Sequence, residues 1–268
     1  MEFLEGIQQN GKPSHVQSVG RALLLIELLA HENREMSLTE ISNTLGWPKS
    51  TVHGMISTLR DYHYIDQSSL TGGYKLGIHL FELGNAVKRS WDISKVAKEY
   101  LVRLNAKLDE MVQLAVESNG EVLYLDKLDS KRMMRIVSDV GIRLPMHCSG
   151  LGKVLLAYKP EAEVKRIINQ KGMKSMTSRT IVTLPDLRKE LEKIREKGYG
   201  IDDQEIMEGL RCVAAPIFDS NGQVLYAVSV SGLYYNMRGQ HLEDVIIEVK
   251  KAAQEISYEM GYRESKIK

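Results

Sequence analysis

The chain has 268 residues, of which 26% are charged, and a formal net charge of +1 at pH 7. A chain of this length can bury a sizeable core and is expected to divide into two domains. No apolar run approaches the roughly 20 residues of a membrane span, and the polar first residues are unlike a signal peptide, so we expect a soluble, cytoplasmic protein. The two cysteines, Cys148 and Cys212, match no zinc spacing and are too few for a disulfide framework, which favours a reducing compartment.

The charge balance alone gives no support for binding to nucleic acid. Residues 1–92 contain eight Lys and Arg against ten Asp and Glu, whereas a nucleic-acid footprint usually shows a basic excess. Any DNA binding must therefore depend on the local arrangement of charges and on more than one copy of the domain, because one copy offers few phosphate contacts.

The first 14 residues show no periodicity, which predicts a flexible tail. A helical pattern then begins, and Arg21 lies near its start, where its side chain could reach a phosphate. The predicted helix turns one apolar stripe toward a core: Val19, Leu23, Ile26 and either Leu29 or Ala30.

Residues 37–60 predict two short helices joined by a tight turn. Ser37 followed three residues later by Glu40 is a capping box, which begins a helix because each side chain takes up a free backbone N–H. Gly46 provides the left-handed end of that helix, and Pro48 suits the first turn of the next one. The pattern predicts a helix-turn-helix with residues 48–60 as the recognition helix; a plain helical hairpin inside a core is the alternative.

The predicted recognition helix has an apolar stripe and a polar face. The polar face carries short hydrogen-bonding side chains, and no carboxylate occurs between Glu40 and Asp61. A helix that lies against phosphates and base edges needs such small polar groups and no anions. The apolar stripe consists of Val52, Met55, Ile56 and Leu59.

Residues 62–77 predict a short strand, a Gly-Gly turn and a second strand, which together form a β-wing next to the helix-turn-helix. An ordinary surface hairpin is the alternative. Lys75 on the second strand is a candidate phosphate contact. The complete set of candidate DNA-binding residues is Arg21, Thr39, Lys49, Ser50, Thr51, His53, Ser57 and Lys75.

Residues 78–92 predict a linker helix with apolar residues on more than one side. A connector with no core of its own buries such residues against another subunit, so we expect a homodimer. The first domain then spans residues 15–77, and the second spans residues 93–264.

The second domain is predicted to open and close with long amphipathic helices. Because its strands come mostly as hairpins with helices grouped between them, we expect an antiparallel sheet and the α+β class. The predicted hairpins cover residues 112–128 and 212–231, a further strand covers 134–137, and helices follow Pro145 and cover 160–170 and 184–196.

Three segments of the second domain are candidates for a binding site. In residues 146–153 two glycines lie at a helix start, where the amides of residues 149–152 would suit an anion such as a carboxylate, or would simply allow close packing. Asp202 lies in a polar loop and could accept from a ligand hydroxyl or cap the loop itself. Ser229 and Ser231 share one face of a strand, where they would line a polar pocket or a water-filled core.

A catalytic site has little support from the sequence. His147 and Cys148 are neighbours, but adjacent residues on a helix point about 100° apart, so adjacency does not make them a pair. The common hydrolase, metalloprotease and nucleotide-binding motifs do not occur in the sequence. We predict no catalytic residues, no metal and no cofactor. A thiol-based sensor or enzyme that uses His147 and Cys148 is the alternative.

Several spaced motifs resemble the isocitrate-lyase-regulator (IclR) family of bacterial transcription factors. In the first domain these are V-Q-S-V-G-R-A-L (16–23), L-T-E-I-S (38–42), G-W-P-K-S-T-V-H (46–53) and Y-K-L-G (74–77). In the second they are R-L-P-M-H-C-S-G-L-G-K-V-L-L-A (143–157), G-Y-G-I-D-D-Q-E (198–205) and C-V-A-A-P-I-F-D (212–219). The resemblance spans residues 15 to about 262.

The resemblance implies a winged helix-turn-helix domain, a linker helix that dimerises and a GAF-like effector domain. It also implies a dimer or a dimer of dimers on a palindromic or repeated operator, and an effector that is a small organic acid or aromatic compound. By similarity, the positions that match the family's effector pocket are Gly150, Asp202, Cys212, Ser229 and Ser231, with Met133 nearby.

The sequence departs from the family on the recognition helix. Gly54 stands where family members often have an arginine, so a bidentate reader of guanine is missing and operator preferences cannot be carried over. A ligand-binding module that has lost its DNA affinity is therefore a third hypothesis.

Overall fold

The computed structural model describes residues 16–90, 92–131 and 139–263. The chain forms two compact units, which meet in sequence between Trp91 and Asp92. The predicted tail at residues 1–14, the predicted strand at 134–137 and the candidate Met133 lie outside the described residues. Within the described part, no helix is long and apolar enough to span a membrane.

In residues 16–90, the first unit contains three helices, a two-stranded antiparallel ribbon and a fourth helix. The helices are α1 (Gln17–Glu32), α2 (Leu38–Leu45) and α3 (Lys49–Asp61); the strands are β1 (Ile65–Gln67) and β2 (Tyr74–Leu76); the last helix is α4 (Ile78–Ser90). This order confirms the predicted helix-turn-helix followed by a β-hairpin.

The local signals around α2 are confirmed. Ser37 Oγ accepts from the backbone N–H of Glu40 at 3.2 Å, and the Glu40 carboxylate accepts from the backbone N–H of Ser37 at 2.7 Å. Gly46 ends the helix with a φ of 68°. Pro48 lies one position earlier than predicted, because its ψ of 138° is extended and makes it the N-cap of α3.

The predicted core-facing stripe of α1 was wrong at its first two positions. Val19 and Leu23 are each 56% exposed, whereas the predicted Leu29 is buried together with Leu25 and Leu28, which were not predicted. Residues 22–26 are all apolar, so two stripes at helical spacing compete and periodicity cannot choose between them. Packing against α2 and α3 selects the buried stripe, and the same core confirms the stripe predicted for α3, with Val52 and Ile56 buried and Met55 and Leu59 partly buried.

The second unit is an α+β domain built on a six-stranded sheet. Its helices are α5 (Asp92–Leu108), α6 (Gly150–Ala157), α7 (Glu161–Lys171), α8 (Leu184–Lys197) and α9 (Gly239–Glu259). Its strands are β3 (Met111–Ser118), β4 (Glu121–Leu128), β5 (Arg143–Pro145), β6 (Gly200–Asp203), β7 (Leu210–Phe218) and β8 (Val224–Leu233). The strand order is β5-β4-β3-β8-β7-β6 and every pair is antiparallel, as predicted.

The two edge strands were not predicted. β5 and β6 have three and four residues, which is too short for an alternating pattern to be recognised. Each forms only because a longer strand beside it offers a free edge: β5 pairs with β4, and β6 pairs with β7.

Both faces of the sheet are covered, and one of them lies under α6. Ala115, Ala214 and Ala227 point to that face and pack against Leu151 and Val154 of α6, and we call it the α6 face. Helices α5 and α9 contact β3, β7 and β8. Because residues alternate along a strand, the cross-strand pairs place Gln113, Ser229 and Ala214 in one row of the α6 face.

Candidate functional site

Helix α3 presents a polar, cationic face in the first unit. Lys49, Ser50, His53 and Ser57 are exposed and Thr51 is half-buried, while Val52 and Ile56 hold the opposite face in the core. The helix therefore offers short donors and acceptors and one lysine, as a helix in a DNA groove requires.

Arg21 and Thr39 lie on the helices that support α3. The guanidinium carbon of Arg21 lies 5.5 Å from the centre of the Trp47 ring, so a cation–π contact holds this side chain beside the turn between α2 and α3. Thr39 is exposed in the first turn of α2. Both predicted contacts are thus on the surface of the helix-turn-helix.

Lys75 is exposed on β2, and Asp66 is the residue opposite it in the register of the two strands. The ribbon is joined to α4 by Gly77, whose N–H donates to Tyr64 O at 2.8 Å. A Cβ on Gly77 would lie 2.2 Å from the carbonyl oxygen of His63, so only glycine allows the two backbone segments to pass this closely.

Gly54 is exposed on α3, and apart from its chain neighbours and the adjacent helix backbone no heavy atom of the described residues lies within 4 Å of the position that its Cβ would take. The departure from the family pattern is therefore not imposed by packing within the first unit. A longer side chain would fit at this position.

A cavity of about 100 Å³ lies in the second unit between the α6 face of the sheet and the N-terminus of α6. One water needs about 10–15 Å³, so the cavity has room for a small molecule. Its wall includes six of the predicted effector residues: Ser149, Gly150, Asp202, Cys212, Ser229 and Ser231. The cavity exists because the sheet positions under α6 carry small side chains and Gly150 carries none.

Two residues at the start of α6 line this cavity and have backbone amides that are free among the described residues. Ser149 is the N-cap of the helix, and its Oγ accepts from Gly152 N–H at 3.1 Å and donates to Pro145 O at 2.8 Å. The N–H groups of Gly150 and Leu151 have no acceptor in the described part of the chain, and both residues line the cavity. Of the amides predicted to suit an anion at residues 149–152, these two remain free at a helix N-terminus, where the helix dipole favours negative charge.

Asp202 on β6 holds its own loop and also lines the cavity. Its Oδ1 accepts from the backbone N–H of Glu205 at 2.7 Å and of Ile206 at 3.4 Å. Its Oδ2 has no hydrogen-bond partner among the described residues. The side chain is 1% exposed, and this burial raises the pKa of Asp202 to about 6.

Sequence reasoning missed Gln113, which lies at the centre of the sheet wall. Ser229 Oγ and Ser231 Oγ donate to Gln113 Oε1 at 3.0 and 3.1 Å. The sequence indicated Gln113 only as a single polar residue in the apolar run V-Q-L-A-V. Polar and apolar residues do not alternate in this run, because both faces of β3 are buried. Tyr124 and Leu151 also line the cavity and were not predicted.

A buried ion cluster lies next to the cavity. Lys153 of α6 is fully buried and pairs with Glu205 and, at 3.3 Å, with Glu190. Burial raises the pKa of Glu205 to about 7 in spite of the adjacent ammonium. The cluster joins α6, which supplies the cavity amides, to the loop after β6, which supplies Ile206 and Met207 to the cavity wall.

His147 and Cys148 are not arranged as a reactive pair. His147 Nε2 lies 3.0 Å from the carbonyl oxygen of Lys174. Cys148 is fully buried, and burial, with the charges of Asp202 and Glu205, raises its thiol pKa to about 12. The thiolate is the reactive form of cysteine, so this geometry does not favour the alternative of a thiol-based sensor or enzyme. The described residues contain no group of three His, Cys, Asp or Glu placed to hold a metal.

Both units match one family of known proteins. Residues 85–258 match the family described as bacterial transcriptional regulator IclR C-terminal, and residues 18–69 match the IclR helix-turn-helix domain.

Relatives of this chain include two regulators of Escherichia coli K12. The HTH-type transcriptional regulator XynR is 33% identical over 247 residues, which cover 92% of this chain and 98% of XynR. The transcriptional repressor IclR is 33% identical over 248 residues, which cover 92% of this chain and 90% of the repressor.

Solved structures of related proteins have the same fold. IclR of Thermotoga maritima superposes with a TM-score of 0.77 at 29% identity, over 92% of this chain and 100% of that one. An IclR-type regulator from Alicyclobacillus acidocaldarius gives a TM-score of 0.81 at 26% identity with the same coverage. The chain thus belongs to the IclR family of bacterial transcriptional regulators, with an N-terminal helix-turn-helix DNA-binding domain and a C-terminal effector-binding domain.

Proposed function

We propose that this protein is a regulator whose affinity for operator DNA is set by a small carboxylic acid bound in the cavity under α6. The carboxylate of the ligand lies on the N–H groups of Gly150 and Leu151. Its hydroxyl or other polar end lies among Asp202, Ser229 and Ser231. The observation that carries this proposal is the convergence of two free amides and the free Asp202 oxygen on one small, buried cavity.

The same proposal assigns the DNA contacts to the first unit. α3 enters the major groove with Ser50, Thr51, His53 and Ser57 toward bases and phosphates, and Arg21, Thr39, Lys49 and Lys75 hold the backbone. The position of these side chains on one helix-turn-helix and its ribbon, where all are exposed except the half-buried Arg21 and Thr51, supports this assignment.

The regulator acts as a homodimer or as a dimer of dimers. Ile78, Phe81 and Leu83 are exposed on α4, and apolar side chains of this kind are buried when a second copy packs against them. Because its partner is operator DNA, we place the protein in the cytoplasm. Ligand binding changes DNA affinity only if the ligand prefers one of two arrangements of the assembled chains, and such coupling is typically about 1–3 kcal/mol.

We propose no catalytic role for the protein. The named relatives are regulators, and His147 and Cys148 are each held in buried surroundings that do not activate them. Turnover of a bound acid by the purified protein would contradict this assignment.

The test combines ligand binding with DNA binding by the full-length protein. A thermal-shift screen of small carboxylic and aromatic acids identifies a ligand, and fluorescence anisotropy on DNA from upstream of the protein's own gene measures operator affinity with and without it. We expect at least one acid to raise the melting temperature and to change the DNA affinity.

Two pairs of variants locate the sites. Lys49→Ala should weaken DNA binding with little dependence on sequence, whereas Lys189→Ala, an exposed lysine on α8, should not. Ser231→Val should abolish the ligand shift and preserve DNA binding, whereas Ser231→Ala, which keeps the cavity open and removes only the hydroxyl, should weaken the shift without abolishing it. A normal response of Ser231→Val to the ligand would place the effector site elsewhere, and failure to bind any upstream DNA would favour a ligand-binding module without regulatory activity.

A further inference from the structure

The sheet wall of the cavity has a definite hydrogen-bond polarity. Ser229 and Ser231 both donate to the one side-chain oxygen of Gln113, and all three side chains are at most 2% exposed. A serine hydroxyl has a single proton, and an amide oxygen has two lone pairs. The two bonds therefore use both serine protons and fill both lone pairs, so that the serines can offer a ligand only acceptor oxygens.

Asp202 adds a third acceptor beside these two. It pairs with Cys212 across the β6–β7 ladder, and Cys212 pairs with Ser231 across the β7–β8 ladder, so the three residues form one row. The Oδ1 atom of Asp202 is occupied by backbone N–H groups, and Oδ2 is free among the described residues. Across this row the cavity wall accepts hydrogen bonds.

Donors in the cavity lie at other positions. They are the amides of Gly150 and Leu151 at the helix wall, the side-chain nitrogen of Gln113 and the hydroxyl of Tyr124, all on residues that line the cavity. A ligand that satisfies both the helix wall and the sheet wall needs two groups. One is an anionic acceptor for the amides of the helix wall, and the other is a hydrogen-bond donor, on a neighbouring carbon, for the acceptors of the sheet wall.

We infer that Gln113 determines the ligand class of this cavity. By holding both serine protons it makes the part of the wall formed by Ser229, Ser231 and Asp202 an acceptor surface, which selects small carboxylic acids that carry a hydroxyl or ammonium donor over the matching keto acids. This inference rests on the proposed function, in which the carboxylate lies on the α6 amides. A keto acid would displace water from these acceptors and leave them unpaired, and we expect it to bind roughly tenfold or more weakly.

The test compares three acids of equal size: lactate, alanine and pyruvate, which carry a hydroxyl, an ammonium and a keto oxygen on the same carbon. Isothermal calorimetry on the full-length protein measures their dissociation constants. We expect lactate or alanine to bind about tenfold or more tightly than pyruvate. Tighter binding of pyruvate would mean that the Gln113 amide faces the other way, and would overturn the inference while leaving the proposed function in place.

Two substitutions test Gln113 itself. Gln113→Met keeps the length of the side chain but removes the acceptor, which frees both serine protons to point at the ligand. The lactate-to-pyruvate preference should then shrink several-fold or reverse. Gln113→Glu keeps an acceptor oxygen and should retain the preference, even though its charge weakens the binding of every acid.

The ratio of the lactate and pyruvate affinities separates a change of specificity from damage to the fold, because a purely structural loss weakens the binding of both acids equally. An unchanged ratio in Gln113→Met would overturn the inference. If that variant melts before the measurement, Ser229→Ala/Ser231→Ala removes the two serine acceptors themselves and should reduce the same ratio. Failure of all three acids to bind at millimolar concentration, with DNA binding intact, would overturn both the small-carboxylate ligand and the role of Gln113.

Discussion

At the scale of single residues, the cavity combines small side chains with one carboxyl group that is costly to bury. Two backbone N–H groups bind one oxygen of Asp202 and favour its charged form. Its pKa is nevertheless raised to about 6, because burial disfavours the charge more strongly than these hydrogen bonds favour it. A group held for binding is expected to lower stability in this way. Its neighbour Gly150 keeps the cavity open, because a glycine has no side chain to fill it.

We predict that Asp202→Asn stabilises the protein at neutral and higher pH. The carboxyl group has a folded pKa of about 6 and an unfolded pKa of about 3.9, so the folded state binds more protons between these values and stability falls as pH rises through this window. The asparagine keeps an oxygen for the loop and avoids the cost of the charge, which is about 2–3 kcal/mol above pH 6. The two proteins should be equally stable near pH 4.

Urea unfolding at a series of pH values measures this difference. Asp139→Asn, at an 81% exposed side chain, is the control and should change little at any pH. A loss of stability in Asp202→Asn at pH 8 would mean that the carboxylate makes a net favourable contribution to the fold.

We predict opposite tolerances for the two glycines of α6. A Cβ on Gly152 would lie 2.4 Å from Met146 O and 2.5 Å from Met146 Cα, whereas a Cβ on Gly150 would have its nearest contact, Asp202 N, at 3.5 Å. Gly152→Ala must shift the turn before α6 and should cost about 2–3 kcal/mol. Gly150→Ala should change stability by no more than about 1 kcal/mol. Thermal melting of both variants gives the comparison, and equal losses would show that the turn can move.

At the scale of elements, α6 connects the parts of the cavity that come from distant segments. Its first turn supplies the two amides, and one turn later Lys153 reaches Glu205 in the loop after β6 and donates to Ile201 O at 2.6 Å. The helix is therefore fixed to the same loop that Asp202 caps. A ligand between the amides and Asp202 lies between two elements that this ion pair already holds together.

We predict that Lys153→Met strongly destabilises the second unit. The substitution leaves the Glu205 carboxylate buried without its cation, and breaking a buried pair in this way costs about 3–5 kcal/mol. Because the pKa of Glu205 is already raised to about 7, protonation relieves part of this loss, which should be smaller at pH 5 than at pH 8.

The double variant Lys153→Met/Glu205→Gln is the control for this prediction. It removes both charges and should recover much of the stability in chemical unfolding. If the double variant is no more stable than Lys153→Met, packing of the lysine stem is more important than its charge.

At the scale of the whole molecule, DNA binding depends on few cations in each copy. The net charge of the chain is only +1, and the carboxylates near the helix-turn-helix are partly engaged within the first unit. Glu40, for example, binds the Ser37 N–H and pairs with Arg34 at 3.1 Å, and these contacts, led by the Ser37 N–H, lower its pKa to about 2. With three candidate cationic contacts to phosphates, Arg21, Lys49 and Lys75, we expect one copy to bind weakly and two copies to be needed.

We predict that a plot of log K against log salt for operator binding has a slope of about −5. This value corresponds to about six phosphate contacts from two copies, each worth about −0.9. Lys75→Ala should reduce the magnitude of the slope by about 2, because one contact is lost from each copy. Anisotropy titrations at several salt concentrations, with light scattering for the number of copies, provide the measurement.

Lys165→Ala, at a half-exposed lysine on α7, is the matched control and should leave the slope unchanged. An unchanged slope in Lys75→Ala would remove the ribbon from the DNA interface.

The sequence by itself determined those features that depend on neighbouring residues. The capping box of Ser37 and Glu40, the end of α2 at Gly46 and the ribbon after α3 are local, so they were predictable from spacing alone. The order of the family motifs likewise identified the family.

Only the tertiary structure decided which of two apolar stripes of α1 is buried, where the short edge strands β5 and β6 form, and that Gln113 lies between Ser229 and Ser231. These features depend on pairing partners far away in the chain: Gln113 and Ser229 are 116 positions apart. In a strand with both faces buried, no alternation of polar and apolar residues distinguishes the face that lines a cavity from the face that does not.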